Sequence, residues 1–191
     1  SRPFAMYLKE YFRKNPQMGA RDRRMTRSWC YNFFRLGKAV SELSFRQRLS
    51  IACFLRSGAE NEYLTHLLND SPLKRENLSM ELNEKVRQVT EQYPNFMIKD
   101  LFPMSEHLSG EIPLEEWALS FLKKPRVWIR IRRTGLTQVM DELKKLEINY
   151  KSTDDPLVIS FLPDVQLEKT ESYLSGLFEI QDINSQRTGN Y

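Results

Sequence analysis

The chain has 191 residues, of which 40% are hydrophobic and 28% charged, with a formal net charge of +4. That is an ordinary globular composition, long enough to bury one large core or two small ones. No apolar run approaches the roughly 18 residues that cross a bilayer, and no signal peptide opens the chain, so a membrane partner is not expected and a cytoplasmic location is.

Phe4, Tyr7, Leu8, Tyr11 and Phe12 recur with helical spacing and define a first amphipathic helix, ended by Asn15-Pro16, with its aromatic set expected in the core. A second helix is expected from Ala20 to Leu36, stopping at Gly37. Its apolar stripe is Met25, Trp29, Phe33 and Leu36, while Arg21, Arg24, Arg27 and Arg35 lie largely off it. Ser44-Phe45-Arg46-Gln47 reads as a capping box that opens a third helix to Gly58. A fourth spans about Glu60 to Leu68 and breaks at Asn69-Asp70-Ser71-Pro72. Ser79 is expected to cap a fifth through Tyr93, a short one covers Phe96 to Phe102, residues 103–112 form a loop, and Pro113 opens the last through Leu122. These short joints describe an all-α domain over residues 1–122.

Lys123 to Arg133 differs in kind. It holds six Lys or Arg and no acid, and from 126 to 133 it alternates with period two. Val127, Ile129 and Ile131 point one way; Arg126, Trp128, Arg130 and Arg132 point the other. A helix through Leu136, Val139, Met140, Leu143 and Leu146 follows, then a short strand at Ile148 and Tyr150, a turn at Asp154-Asp155-Pro156, an apolar strand over Leu157 to Leu162, and a last strand at Phe178 to Gln181. The expected fold class is therefore α+β: a helical domain, then a small domain over residues 123–191 on the ferredoxin-like plan that many RNA-binding modules use.

Charge is segregated along this order. Residues 1–58 carry 13 Lys or Arg against three acids, a net of +10; residues 59–122 carry a net of −7, and residues 123–191 a net of +1. A polyanion is expected on the first third and on the basic strand, with Arg21, Arg23, Arg24 and Arg27 along the second helix and Lys123, Lys124, Arg130, Arg132 and Arg133 as phosphate contacts. Trp128 has two readings: it stacks on a base, or it packs against the helical domain. The basic helix face likewise reads either as a phosphate track or as a solvated surface in which Asp22 pairs with one Arg.

Active-site signatures are missing. The seven glycines make no phosphate cradle. His66 and His107, the only histidines, have no ligand-spaced partner, so no metal is expected. Cys30 and Cys53 sit in helix patterns and read as free buried thiols in a reducing compartment. Glu115-Glu116 and Asp154-Asp155 suit a helix first turn and a tight turn better than acid–base work. No catalytic residue is assigned.

Three segments resemble one family. Arg21-Asp22-Arg23 followed by Cys30-Tyr31-Asn32-Phe33-Phe34-Arg35 resembles the Asp-Arg and aromatic-rich helix of NusB-like domains. Pro125 to Arg132 resembles the P-x-W-L-R-x-N strand of Sun/RsmB-type (NOL/NOP/Sun family) rRNA cytosine-5 methyltransferases, with Arg132 in place of the family's Asn. Tyr173 to Gln186 resembles that family's F-x-x-G-x-x-x-V-Q-D-x-S-x-Q. The resemblance implies an RNA-recognition portion that precedes a Rossmann-like domain holding S-adenosylmethionine and the nucleophilic Cys. This chain holds neither, and neither Cys30 nor Cys53 follows a Pro as that family's second Cys does. Ser1 in place of an initiator Met fits an excised piece. The expectation is thus a monomer that binds RNA, small-subunit rRNA in particular, beside its own methyltransferase domain, with no cofactor in this chain. The alternative is a non-enzymatic NusB-like adaptor that docks on a ribosomal or transcription protein.

Overall fold

The fold is α+β, helices followed by a small antiparallel sheet. The computed structural model describes residues 2–102, 107–163 and 165–188, and the chain divides into two compact units, Ser1–Lys123 and Lys124–Tyr191.

The first unit is built around α3 (Phe45–Arg56), where every residue from Leu49 to Leu55 is buried. A helix buried on all sides over two turns belongs at the centre of a bundle, and α2 (Ala20–Arg35), α4 (Glu62–Leu68) and α5 (Leu82–Gln92) pack around it. Its start is the expected capping box: the Ser44 N–H donates to Gln47 Oε1 (3.1 Å) and the Gln47 N–H to Ser44 Oγ (3.4 Å). At the end of α2 the chain turns through Gly37 at φ +57°, where a Cβ would lie 2.5 Å from the Asp100 and Leu101 carbonyl oxygens. Only glycine fits both the left-handed turn and that approach.

Several expectations in this unit are corrected. In α1 (Phe4–Lys14) only Leu8 and Phe12 are buried, one i,i+4 pair, while Tyr7 and Tyr11 lie on the flank and are exposed. Ser79 does not cap α5; it ends a 3-10 turn over Arg75–Ser79, and Glu81 precedes the helix without a side-chain cap. Asn61, not Glu60, starts α4, with Oδ1 accepting the Leu64 N–H at 3.0 Å. The segment expected as a short helix over 96–102 is a 3-10 turn at Ile98–Leu101. Within the expected 103–112 loop, 103–106 lie outside the described residues, and a turn closes from Ile112 N–H to the Ser109 carbonyl. Pro113 then precedes α6 (Leu114–Ser120).

The second unit runs β1 (Val127–Ile131), α7 (Leu136–Lys145), β2 (Lys151–Ser152), β3 (Val158–Phe161), α8 (Glu171–Leu174), β4 (Phe178–Ile180) and α9 (Ile183–Thr188). The antiparallel strands are ordered β2-β3-β1-β4, which is the ferredoxin-like order. One sheet face, Ile129, Ile131, Ile159, Phe161 and Phe178, packs on Val139 and Leu143 of α7 and on Leu167.

Here β2 starts later than Ile148 and Tyr150 suggest. Glu147 takes a left-handed φ of 53° and the Ile148 N–H donates back to the Leu143 carbonyl at 2.9 Å. Ile148 is thereby spent as the apolar residue of a helix C-cap, packed on the core. Helices α8 and α9 are too short to show a period in sequence, yet both are capped. Thr170 Oγ1 accepts the Tyr173 N–H (3.2 Å) and Asp182 Oδ1 accepts the Asn184 N–H (2.8 Å).

Candidate nucleic-acid interface

In the helical unit, α1 and α2 enclose an open groove of about 720 Å³ lined by Arg2, Lys9, Arg13, Arg23 and Arg27, with Met6, Phe12 and a single carboxylate, Glu10. Glu10 is already shared, accepting from Arg2 at 3.4 Å and Lys14 at 3.1 Å. Lys9, Arg13 and Arg27 are exposed and meet no acid among the described residues. The groove therefore holds a surplus of positive charge over an apolar floor.

The arginines expected on α2 divide by role. Arg27 faces the groove, and Arg24 is exposed without a partner among the described residues. Arg23 lines the groove but is tied down, its Nε donating to the Met18 carbonyl at 2.8 Å. Arg21 pairs with Glu62 at 3.4 Å and lies 4.9 Å over the Tyr63 ring. The Asp22–Arg pair of the alternative, solvated-surface reading does not occur among the described residues. The two oxygens of Asp22 accept the Gly19 N–H (3.1 Å) and the Tyr63 hydroxyl (3.1 Å), and the tyrosine that donates to it is pushed up in pKa, chiefly by that hydrogen bond. Lys9 and Arg13 did not stand out in the sequence because they precede the arginine-rich helix, and only the packing of α1 on α2 brings them alongside it.

In the second unit, β1 presents its alternation as expected. Ile129 and Ile131 are buried, Trp128 is half-buried, and Arg130 and Arg132 are exposed on the opposite face. The basic face is not free of acid, however. Glu179 of β4 sits opposite Arg130 in register and accepts from Arg132 at 2.9 Å. Arg126 is engaged too, its guanidinium donating to the Ser160 hydroxyl and carbonyl at 2.7 and 2.8 Å. Lys123, Lys124 and Arg133 are exposed. Trp128 forms one wall of a cavity of about 260 Å³ within this unit, together with Arg130, Asp154, Asp155, Gln186 and Arg187.

Both cysteine thiols are shifted toward the protonated form. Burial pushes the Cys53 thiol up to about 12, although Asn32 and Arg56 nearby pull the other way; a thiol so placed stays protonated at neutral pH, the reverse of an activated nucleophile. Cys30 is only half-buried, against the expectation for it, and burial raises its pKa as well. Among the described residues no group of three or more His, Cys, Asp or Glu could hold a metal ion, and no helix is long and apolar enough to cross a membrane. Neither the α1/α2 groove nor the Trp128 cavity is lined by glycine, whereas close approach to a nucleoside cofactor such as S-adenosylmethionine calls for a glycine-rich turn at a helix start.

In comparison with known proteins, the chain matches no family model, no curated protein and no solved structure.

Proposed function

We propose that this chain is an RNA-binding module, the RNA-recognition portion of a cytoplasmic rRNA cytosine-5 methyltransferase. The observation that carries RNA binding is the α1/α2 groove, with five cations around one already shared carboxylate. The methyltransferase assignment rests on the resemblance of the helix at 21–35, the strand at 125–132 and the segment at 173–186 to the Sun/RsmB type. In that reading the module, as a monomer, captures small-subunit rRNA electrostatically and orients it. S-adenosylmethionine supplies the methyl group in a separate methyltransferase domain, and no residue of this chain takes part in that transfer.

The test is binding of the chain to small-subunit rRNA fragments across a salt series. If all five groove cations neutralise phosphates of a single strand, affinity falls on the order of a hundredfold between 50 and 200 mM salt. An Arg13→Glu/Arg27→Glu variant should weaken binding and flatten that slope. Absence of binding at 50 mM, or tight binding that neither salt nor the variant changes, refutes the proposal.

One observation favours the adaptor reading instead. Phe4, Tyr7, Tyr31, Phe33, Phe34 and Phe45 form a linked set of ring contacts, and Tyr7, Phe34 and Phe45 are 61%, 60% and 67% exposed. Such a surface suits an apolar protein partner, whose binding would vary little with salt.

A further inference from the structure

The cavity behind Trp128 is lined in part by groups that the fold leaves unused. Within the sheet, helices α7 and α8 cover the face of Ile129, Ile131 and Phe161. The other face carries Trp128, Arg130, Val158 and Ser160. Over part of it α9 brings Ile183, Gln186 and Arg187, and the β2–β3 turn brings Thr153, Asp154 and Asp155. The turn is held by its own hydrogen bonds: the Thr153 hydroxyl lies 2.9 Å from both the Asp155 and Val158 carbonyls, sharing its one proton between them, and Asp155 Oδ1 accepts the Leu157 N–H at 2.9 Å.

The lining groups that do not serve the fold are chemically specific. The Trp128 indole meets no other ring and no cation over its face, and its N–H has no acceptor among the described residues. The Arg130 and Arg187 guanidiniums have no hydrogen-bond or ion-pair partner there, and neither does the Asp154 carboxylate. Gln186 is 6% exposed; its Nε2 donates to the Gln181 carbonyl at 2.8 Å, while its buried Oε1 has no donor. A half-buried aromatic wall, two guanidiniums without an ion-pair partner among the described residues, and two unused acceptors therefore meet in about 260 Å³, with the Asp155 carboxylate also in the lining. That volume is just under the lower end for small-molecule sites, roughly 300 Å³, and suits one planar group better than a helix or a duplex.

We propose that this cavity takes one unpaired nucleotide of an RNA strand, its base against Trp128, its phosphates on Arg130 and Arg187, and the base's N–H groups toward Asp154 and Gln186. The inference rests on the RNA-binding reading and adds to it what the groove lacks: a requirement for an unpaired base. Duplex RNA hides its bases in the stack, whereas a single strand can splay one out onto an aromatic side chain. Arg130 is the strand's contributor to phosphate binding. Arg132 is held by Glu179 and does not line the cavity.

The test uses the 191-residue chain, a single-stranded RNA dodecamer, and the same strand paired with its complement. Tryptophan fluorescence and filter binding are read at 50 mM salt. The single strand should quench part of the emission and bind more tightly than the duplex. Trp128→Leu should lose that quench and weaken single-strand binding by about 5- to 150-fold, the equivalent of one base–aromatic stack, with duplex binding unchanged. Trp128→Tyr should retain most of the affinity, and matching thermal melts show whether each variant is folded. Arg13→Glu/Arg27→Glu should weaken single strand and duplex alike. If wild type binds RNA and folded Trp128→Leu binds the single strand equally well, the base site is refuted while the groove reading stands. If wild type binds neither RNA, both fall.

Discussion

Arg56 offers the sharpest test of how the helical unit is held together. Its Nε donates to Asn32 Oδ1 (2.8 Å), and its Nη1 reaches the carbonyls of Phe121 (2.9 Å), Leu122 (2.7 Å) and Lys123 (3.3 Å). These carbonyls follow the last turn of α6 and have no helical partner of their own. Burial, with the neighbouring Arg35 charge, lowers the Arg56 pKa to about 10, still charged at neutral pH. Replacing Arg56 with Met keeps much of the volume and removes the fork. Arg35 Nη1 still serves the Phe121 carbonyl at 2.6 Å and the Lys123 carbonyl is exposed to water, so two acceptors, Asn32 Oδ1 and the Leu122 carbonyl, are stranded.

At roughly 1–3 kcal/mol for each unsatisfied buried group, and less the relief of a desolvated cation beside Arg35, Arg56→Met should cost about 3 kcal/mol. For a chain of this size that lowers the melting midpoint by about 6–12 °C. Arg56→Lys should fall between, because an ammonium cannot bridge Asn32 and the α6 carbonyls as a planar fork does. Thermal melts followed by circular dichroism read all three. A midpoint for Arg56→Met within a degree of wild type, or above it, would show that desolvation cancels the hydrogen bonds and refute the reasoning.

Gly37→Ala meets both a left-handed φ and carbonyl oxygens 2.5 Å from the new Cβ, and should destabilise the helical unit by about 2–4 kcal/mol in denaturant titrations. Glu142 accepts the N–H groups of Glu171 and Ser172 at 2.7 and 2.9 Å. Burial alone would raise its pKa, but these donors and Lys145 outweigh that and hold it below 4.5. Its stabilising effect should be complete above pH 4.5 and fade as pH falls through the lower folded value. Glu142→Gln should therefore cost about 0.5–2 kcal/mol at pH 7 and little in acid, read by melts at both pH values. A maleimide should label Cys30 slowly in the native chain and Cys53 only after denaturation, since Cys53 is fully buried; mass spectrometry distinguishes one adduct from two.

The larger elements were legible because their signals are local. The Ser44 box, the largely apolar run of α3 and the period-two strand at 127–131 each state their structure within a dozen residues. What the sequence obscured was how side chains are used across distance. Tyr7 and Tyr11 share the helical spacing of Leu8 and Phe12, and spacing cannot tell how wide the buried stripe of α1 is. Ile148 has strand-like chemistry but is claimed by the cap of α7. For the candidate site, a run of arginines shows charge but not occupancy. Arg23, Arg126 and Arg132 are each tied to a partner, and Glu179 reaches the basic strand from nearly fifty residues away. Lys9, Arg13 and Arg187 gain their places only from the packing of helices.

The position of β1 in the sheet also has a consequence during synthesis. This strand emerges first in its unit yet lies inside the finished sheet, flanked by β3 and β4. Ile129 pairs with Ile159 and, about fifty residues after itself, with Ile180, so at translation rates of roughly 5–20 residues per second the strand waits some seconds with first both edges and then one edge open. An apolar strand in that position invites pairing with another chain. Arg126, Arg130 and Arg132, spaced along the segment, keep like strands apart by repulsion during the wait. The charges along this strand, of which Arg130 lines the proposed site, thus also act as gatekeepers before folding is complete, and neutralising all three should lower the soluble yield of the chain even where the finished fold tolerates the change.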